Sequence, residues 1–174
     1  MIFRAIVMVF FLSVGVCSCQ AQSVPERLET SYQPLNKKLA KTIAADQYAI
    51  SAPEAKQLDE PLFLDARETA EYQISHLPGA LMIGYDQPDF SILDQTDKQR
   101  PVVVYCTIGY RSERIANDLR SKGFNNVYNL YGSIYAWKLA GYPLIDAEGK
   151  TTEKVHTYNK KWGTYFPDDA NEVH

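Results

Sequence analysis

The stretch from Pro101 to Ser112 reads Pro-Val-Val-Val-Tyr-Cys-Thr-Ile-Gly-Tyr-Arg-Ser. It holds the residues best suited to chemistry. Cys106 is the candidate nucleophile, Gly109 gives the turn behind it backbone freedom, and Arg111 adds a full positive charge. Val102 to Tyr105 form a short β-branched apolar run, the pattern of a buried strand in a parallel sheet. From Ser112 the pattern is helical. Ile115, Ala116 and Leu119 share one face, Arg114, Asp118 and Lys122 the other, and Gly123 stands where the helix would end. Cys106 therefore sits between the end of a strand and the start of a helix. Loop N–H groups can converge there, and the helix end adds partial positive charge. These features and Arg111 favour the thiolate, which is the reactive form of cysteine. A cradle of this kind also binds anions. The competing reading is a buried structural cysteine. The Gly and Arg spacing favours the reactive one.

The elements that position this loop are readable around it. Lys37 to Tyr48 carries Leu39, Ala40, Ile43 and Ala44 at helical spacing, and Tyr48-Ala49-Ile50 suits an edge strand. Ser51 and Glu54 have capping-box spacing, with Pro53 in the first turn, so Ala52 to Leu58 is expected to be helical. Leu62-Phe63-Leu64 is a strand-like run ending at Asp65. Glu68 to Ile74 suits a one-sided helix, and Leu81-Met82-Ile83 another strand. Tyr85 to Arg100 is polar, with a helical turn near Leu93. Val127 to Leu130 suits a strand, and Ser133 is expected to cap a helix bearing Ile134, Trp137 and Ala140. Strands alternating with helices imply an α/β fold: a small parallel sheet flanked by helices on both faces. Ligands of such sheets bind beyond the carboxyl ends of strands, where Cys106 lies.

The chain has 174 residues, 45% hydrophobic and 22% charged. That is enough for one core, so one domain with tails is expected. The net charge is −3, with no basic stripe, which argues against a nucleic-acid partner. Arg4 is followed by an almost wholly apolar run from Ala5 to Val16, the pattern of an export signal. Two cleavage readings compete. Val16-Cys17-Ser18-Cys19 resembles a bacterial lipobox with Cys19 as the lipidated residue; cleavage after Ala21 is the other. The first is favoured, and Cys17 is a poorer acceptor because Val16 precedes it. It gives an export signal over 1–18 and a tether with a short helix over 19–45. The protein would then face the periplasm in a bacterial cell envelope, with a membrane contact through the lipid. Loss of Met1 to Ser18 removes Arg4 and no acid, leaving 17 bases against 21 acids. Either cleavage leaves Cys106 without an intramolecular disulfide partner.

Four segments together resemble the rhodanese family, over about Ile50 to Leu144. They are Leu64-Asp65-Ala66-Arg67-Glu68 with Glu71-Tyr72, the turn His76-Leu77-Pro78-Gly79-Ala80, the loop Cys106 to Ser112, and Gly132 to Pro143 with Ala136-Trp137 and Ala140-Gly141. Ser133 replaces the commoner second glycine of the last segment. The resemblance implies a rhodanese-like domain over 46–145, with 146–174 as a tail packed on it. It also implies a reaction. Cys106 takes the outer sulfur of a small sulfur-containing anion such as thiosulfate and becomes a persulfide. Cyanide, a small thiol or a protein thiol then removes it. Thr107, Ile108, Gly109, Tyr110, Arg111 and Ser112 would cradle the persulfide and the anion. No cofactor or metal is implied. Related phosphatases and arsenate reductases carry one residue more in this loop; the Cys-x-x-x-x-Arg spacing here favours sulfur over a phosphate-sized oxyanion.

Other residues divide between chemistry and support. Arg111 either binds the donor anion or fastens the loop. Tyr110 either shapes the pocket mouth or packs. Asp65 and Arg67 read as hydrogen-bonded supports, His76 as structural in its Pro-Gly turn, and Trp137 as core. His76, His156 and His174 are too scattered for a metal site. The aromatics Tyr158, Trp162, Tyr165 and Phe166 suit a tail wrapped on the domain, since exposed aromatics in a row would be sticky. Two other function classes remain: a non-catalytic binding or sulfur-carrier module, and a thiol redox sensor relying on a partner thiol.

Overall fold

A computed structural model of the chain describes residues 24–167 and 172–173. The export segment 1–18 and Cys19 lie outside the described residues. The central sheet is built from β1 (Ala49–Ile50), β2 (Leu62–Asp65), β3 (Leu81–Met82), β4 (Val102–Tyr105) and β5 (Val127–Leu130), in the order β1-β5-β4-β2-β3 with every pairing parallel. Helices α1 (Gln33–Leu39), α2 (Ala52–Gln57), α3 (Thr69–Ile74), α4 (Tyr110–Ser121) and α5 (Ser133–Leu139) join or flank these strands. Among the described residues no helix is long and apolar enough to cross a membrane.

β4 is the middle strand and is buried along its length. A strand alternates its side chains between faces, and β4 does so. Val103 and Tyr105 join one core with Leu35 and Leu39 of α1, Ala52 and Ala55 of α2, and Ile134 and Trp137 of α5. Val102, Val104 and Cys106 join the other with Ile115, Ala116 and Leu119 of α4. The sheet is thus covered on both faces around β4, which is why that strand is apolar throughout rather than alternating. Trp137 closes the first core edge-on to Phe63, with ring centroids 5.4 Å apart, and its indole N–H donates to the Pro143 carbonyl at 3.0 Å.

The capping box at α2 is present. The Ser51 N–H donates to Glu54 Oε2 at 2.9 Å and the Glu54 N–H to Ser51 Oγ at 3.4 Å. Two helix boundaries differ from the sequence expectation. α1 runs over Gln33–Leu39 rather than from Lys37 onward. Pro34 sits in its first turn, where a fixed φ and a missing N–H cost nothing, and Leu35 and Leu39 are its buried side. Ile43 is buried from the turn that follows. α4 starts at Tyr110, so Arg111 belongs to its first turn.

The C-terminal segment lies against the domain. β6 (Leu144–Ile145) pairs antiparallel with β7 (Thr151–Thr152), and β8 (Val155–His156) is parallel to β9 (Glu172–Val173). Between them, α6 (Lys160–Gly163) precedes Phe166, whose ring stands 4.6 Å from that of Tyr135. Val155 and Phe166 are buried in the same core as Trp137.

An ion pair without solvent contact sits at the end of β2. Asp65 and Arg67 side chains are both 0% exposed and meet at 2.6 Å. Arg67 Nη2 also donates to the Ser75 carbonyl at 2.6 Å, beyond the end of α3, and the Arg67 N–H donates to Asp65 Oδ1 at 3.0 Å. The pair therefore fixes the β2–α3 turn. Asp65→Ala leaves a buried guanidinium without its carboxylate and is expected to lower stability by about 3–5 kcal/mol, read from the denaturant midpoint. A loss below about 1 kcal/mol, the level of an exposed pair, would show that the turn does not depend on it.

Candidate active site

The loop after β4 turns on Gly109, whose φ of +119° no side chain adopts without strain. That turn points the loop's N–H groups inward. The Gly109 N–H donates to Cys106 Sγ at 3.2 Å, and the Ser112 N–H also reaches the sulfur. Ser112 Oγ lies 3.6 Å from Sγ but 2.7 Å from Asn129 Oδ1, so its single hydrogen goes to the asparagine. Asn129 Nδ2 in turn donates to the Gly109 carbonyl at 3.1 Å. β5 thereby locks the turn that presents the donors.

The floor of the loop is set by α5. Here the structure corrects one expectation: Ser133 does not cap the helix. The cap is Gly132, at φ +75°, where an added Cβ would stand 2.8 Å from the Ala136 Cβ and 3.1 Å from Leu39. Only glycine fits there. Ser133 follows, itself left-handed at φ +50°. Its Oγ accepts the Cys106 N–H at 3.0 Å and reaches the Leu130 carbonyl at 3.1 Å. The hydroxyl therefore supports the cysteine's backbone rather than the helix end.

Arg111 is held by an acid from α3. Its Nη1 and Nη2 donate to Glu71 Oε2 and Oε1 at 2.6 and 2.7 Å, and Nη2 also reaches Thr107 Oγ1 at 2.8 Å. Thr107 Oγ1 meets Glu71 Oε1 at 3.2 Å. Glu71 is 40 residues from Arg111 in the chain and buried. Of the two roles open to Arg111, fastening the loop is the one this geometry displays. Burial pushes the Cys106 thiol up. The Arg111 charge and the Ser112 and Gly109 N–H groups outweigh it, and the net shift is downward.

Cys106, only 1% exposed, forms the floor of a cavity of about 320 Å³. Thr107, Ile108, Tyr110 and Arg111 also line it, with Glu68, Tyr85 and Asp86 from the β2 side and Tyr158 and Trp162 from the C-terminal segment. Asp65 and Arg67 lie outside the lining and brace the turn that leads into α3, the helix that carries Glu71. His76 stacks on Tyr72 at 3.9 Å and pairs with Ile145. It is not part of the pocket. Among the described residues no three His, Cys, Asp or Glu side chains come together as a metal site.

A family model described as the rhodanese-like domain matches residues 48–140. The chain belongs to this family. Among solved structures, a thiosulfate sulfurtransferase from Pseudomonas aeruginosa superposes with a TM-score of 0.52 at 28% identity, over 59% of this chain and 20% of that one. A rhodanese-like domain from Anabaena sp. gives 0.53 at 25%, over 58% and 80%. Among curated relatives, the rhodanese-like/PpiC domain-containing protein 12 of Arabidopsis thaliana chloroplasts is 38% identical over 51% of this chain. A tRNA uridine(34) hydroxylase of Yersinia pestis is 29% identical over 82%. This chain spans 30% and 39% of those two relatives.

Glu71 and Asn129 belong to this arrangement but were not singled out in the sequence, and Tyr158 and Trp162 were read there only as packing. Asn129 had a signal: a polar residue inside an apolar strand needs a buried partner. Glu71 had only its place beside the Asp65–Arg67 segment.

The geometry fixes the sign of one substitution. Arg111→Met removes the cation beside the thiolate, which raises the thiol pKa. In wild type the rate of Cys106 alkylation is expected to level off at a pH below that of an ordinary cysteine. In Arg111→Met the midpoint moves up by about one unit, slowing alkylation at neutral pH about tenfold. An unchanged midpoint would leave the N–H groups as the sole source of stabilisation.

Proposed function

We propose that the chain is a sulfurtransferase that carries a sulfane sulfur as a persulfide on Cys106. The observation supporting this most directly is the sulfur itself: a thiol with a lowered pKa at the floor of a cavity, facing loop N–H donors. In the first half-reaction the Cys106 thiolate attacks the outer sulfur of the donor. A new S–S bond forms, the donor's own bond to that sulfur breaks, and the rest of the donor leaves with the electron pair, as sulfite when the donor is thiosulfate. The persulfide inherits the negative charge and the Gly109 and Ser112 N–H groups. In the second, an acceptor such as cyanide or a thiol attacks the outer sulfur, and Cys106 returns as thiolate. No cofactor takes part and no general base is needed.

Sulfur transfer needs no groups beyond those in the cavity. The export-type sequence from Arg4 to Ala21 supports placing the reaction in a bacterial cell envelope, with Cys19 as lipid anchor. Hydroxylation of a tRNA, the activity in the name of one relative, finds less support, because the net charge is −3 without a basic stripe.

Intact mass of the purified protein before and after thiosulfate tests the proposal, with Cys106→Ser in parallel. The expected result is a gain of one sulfur atom, absent in the serine variant and reversed by cyanide. Should a folded protein with a free, alkylatable Cys106 gain no sulfur from thiosulfate or from an organic persulfide, the reading fails in favour of a binding module.

A further inference from the structure

The pocket mouth is built partly by residues outside the family-matched stretch of 48–140. Tyr158 and Trp162 come from the C-terminal segment and line the Cys106 cavity together with Tyr85 and Tyr110. Tyr158 is 52% exposed and sits at φ +68°, a left-handed backbone that a bulky side chain rarely adopts. Its ring lies 5.1 Å from the Arg111 guanidinium. Arg111 is thereby occupied twice: Glu71 takes its N–H edge and Tyr158 its face. The other charges lining the cavity are the carboxylates of Glu68 and Asp86. Arg114 stands just outside, exposed, with its guanidinium 5.7 Å from the Tyr85 ring.

A small dianion entering here meets two carboxylates and a cation already engaged. An apolar body meets four aromatic rings. We propose that the C-terminal segment completes a specificity pocket for substrates with an aromatic or similarly apolar body and at most one negative charge, and that Tyr158 and Trp162 set this preference. The proposal rests on the sulfur-transfer reading for the reaction. An aryl thiosulfonate is a donor of the selected kind. The Cys106 thiolate takes its outer sulfur, the S–S bond breaks, and an aryl sulfinate monoanion leaves. A thiol with an aromatic or aliphatic body is the matching acceptor.

Alkylation of Cys106 tests the pocket without sulfur transfer. Rates with iodoacetate, iodoacetamide and N-benzyl iodoacetamide are each divided by the rate on free N-acetylcysteine. The expected order is benzyl fastest and the anion slowest. Tyr158→Asn, a residue type that tolerates left-handed backbone, is expected to reduce the benzyl preference about three- to tenfold, as loss of one ring contact should. Tyr158→Phe keeps it. Normalised rates that are equal in wild type, or a preference unmoved in a folded Tyr158→Asn, would overturn the proposal. Should Tyr158→Asn not fold, the wild-type order and the Phe variant still decide it. Loading with benzenethiosulfonate and with thiosulfate then separates the two readings. Faster loading by the aryl donor supports both. Equal loading sinks the specificity alone, and loading by neither sinks the sulfur-transfer reading while the alkylation order still stands.

Discussion

Arg111 lies against Glu71 with both nitrogen–oxygen distances under 2.8 Å, and the shape of the Cys106 loop follows from that pair. A bidentate guanidinium–carboxylate contact fixes orientation as well as distance. It joins the first turn of α4 to α3, while Thr107 between them holds the loop's start. Glu71 Oε2 also accepts the Glu68 N–H at 3.1 Å, so one carboxylate caps α3 and anchors the loop. Burial pushes the Glu71 carboxyl up, but the Arg111 hydrogen bonds and charge and the Glu68 N–H outweigh it and hold it below its usual value. A carboxylate lowered in the folded state contributes stability above its unfolded pKa and loses it as pH falls through the folded one. The anchor is thus intact wherever the thiol can ionise.

A buried thiolate also needs donors that do not move. The Gly109 donor and the Cys106 backbone are fixed through backbone conformations that only special residues accept. Gly109 at φ +119° aims its N–H at the sulfur. Gly132 at φ +75° lets α5 approach closely enough for Ser133 to hold the Cys106 N–H. Ser133 stays left-handed without being glycine. Its two hydrogen bonds, to the Cys106 N–H and the Leu130 carbonyl, offset a strain of about 1–3 kcal/mol. The strain is placed where it positions the reactive residue.

These relations explain which parts were legible in the sequence. The runs Val102 to Tyr105 and Val127 to Leu130 announced buried strands because both faces of the sheet are covered. Ser51 and Glu54 announced a capping box because both partners lie within one turn. Glu71 announced nothing comparable: its partner is 40 residues away, and only the tertiary fold brings α3 against the Cys106 loop. Ser133 misled for a similar reason. A serine opening a helix reads as a cap, yet the clash at Gly132 moves the cap back by one residue and turns the hydroxyl toward the cysteine. The tail aromatics showed that they would pack. Which of them would face the cavity depended on strands of two residues each, too short to carry a period.

Under the sulfur-transfer proposal, chemistry and selectivity fall to different stretches of this chain. The N–H cradle, the cysteine and the Arg111–Glu71 pair lie within residues 48–140, and they dictate only that a charged sulfur is stabilised there. Backbone donors do not distinguish one sulfane sulfur from another, since each presents the same atom and charge. Discrimination has to come from what surrounds the rest of the molecule. In this chain that surrounding is the ring of Tyr85, Tyr110, Tyr158 and Trp162. Half of it is supplied by a segment held on the domain through Val155 and Phe166 in the main core. Anchoring the tail by those buried side chains leaves Tyr158 exposed at the rim, with its ring over the Arg111 guanidinium.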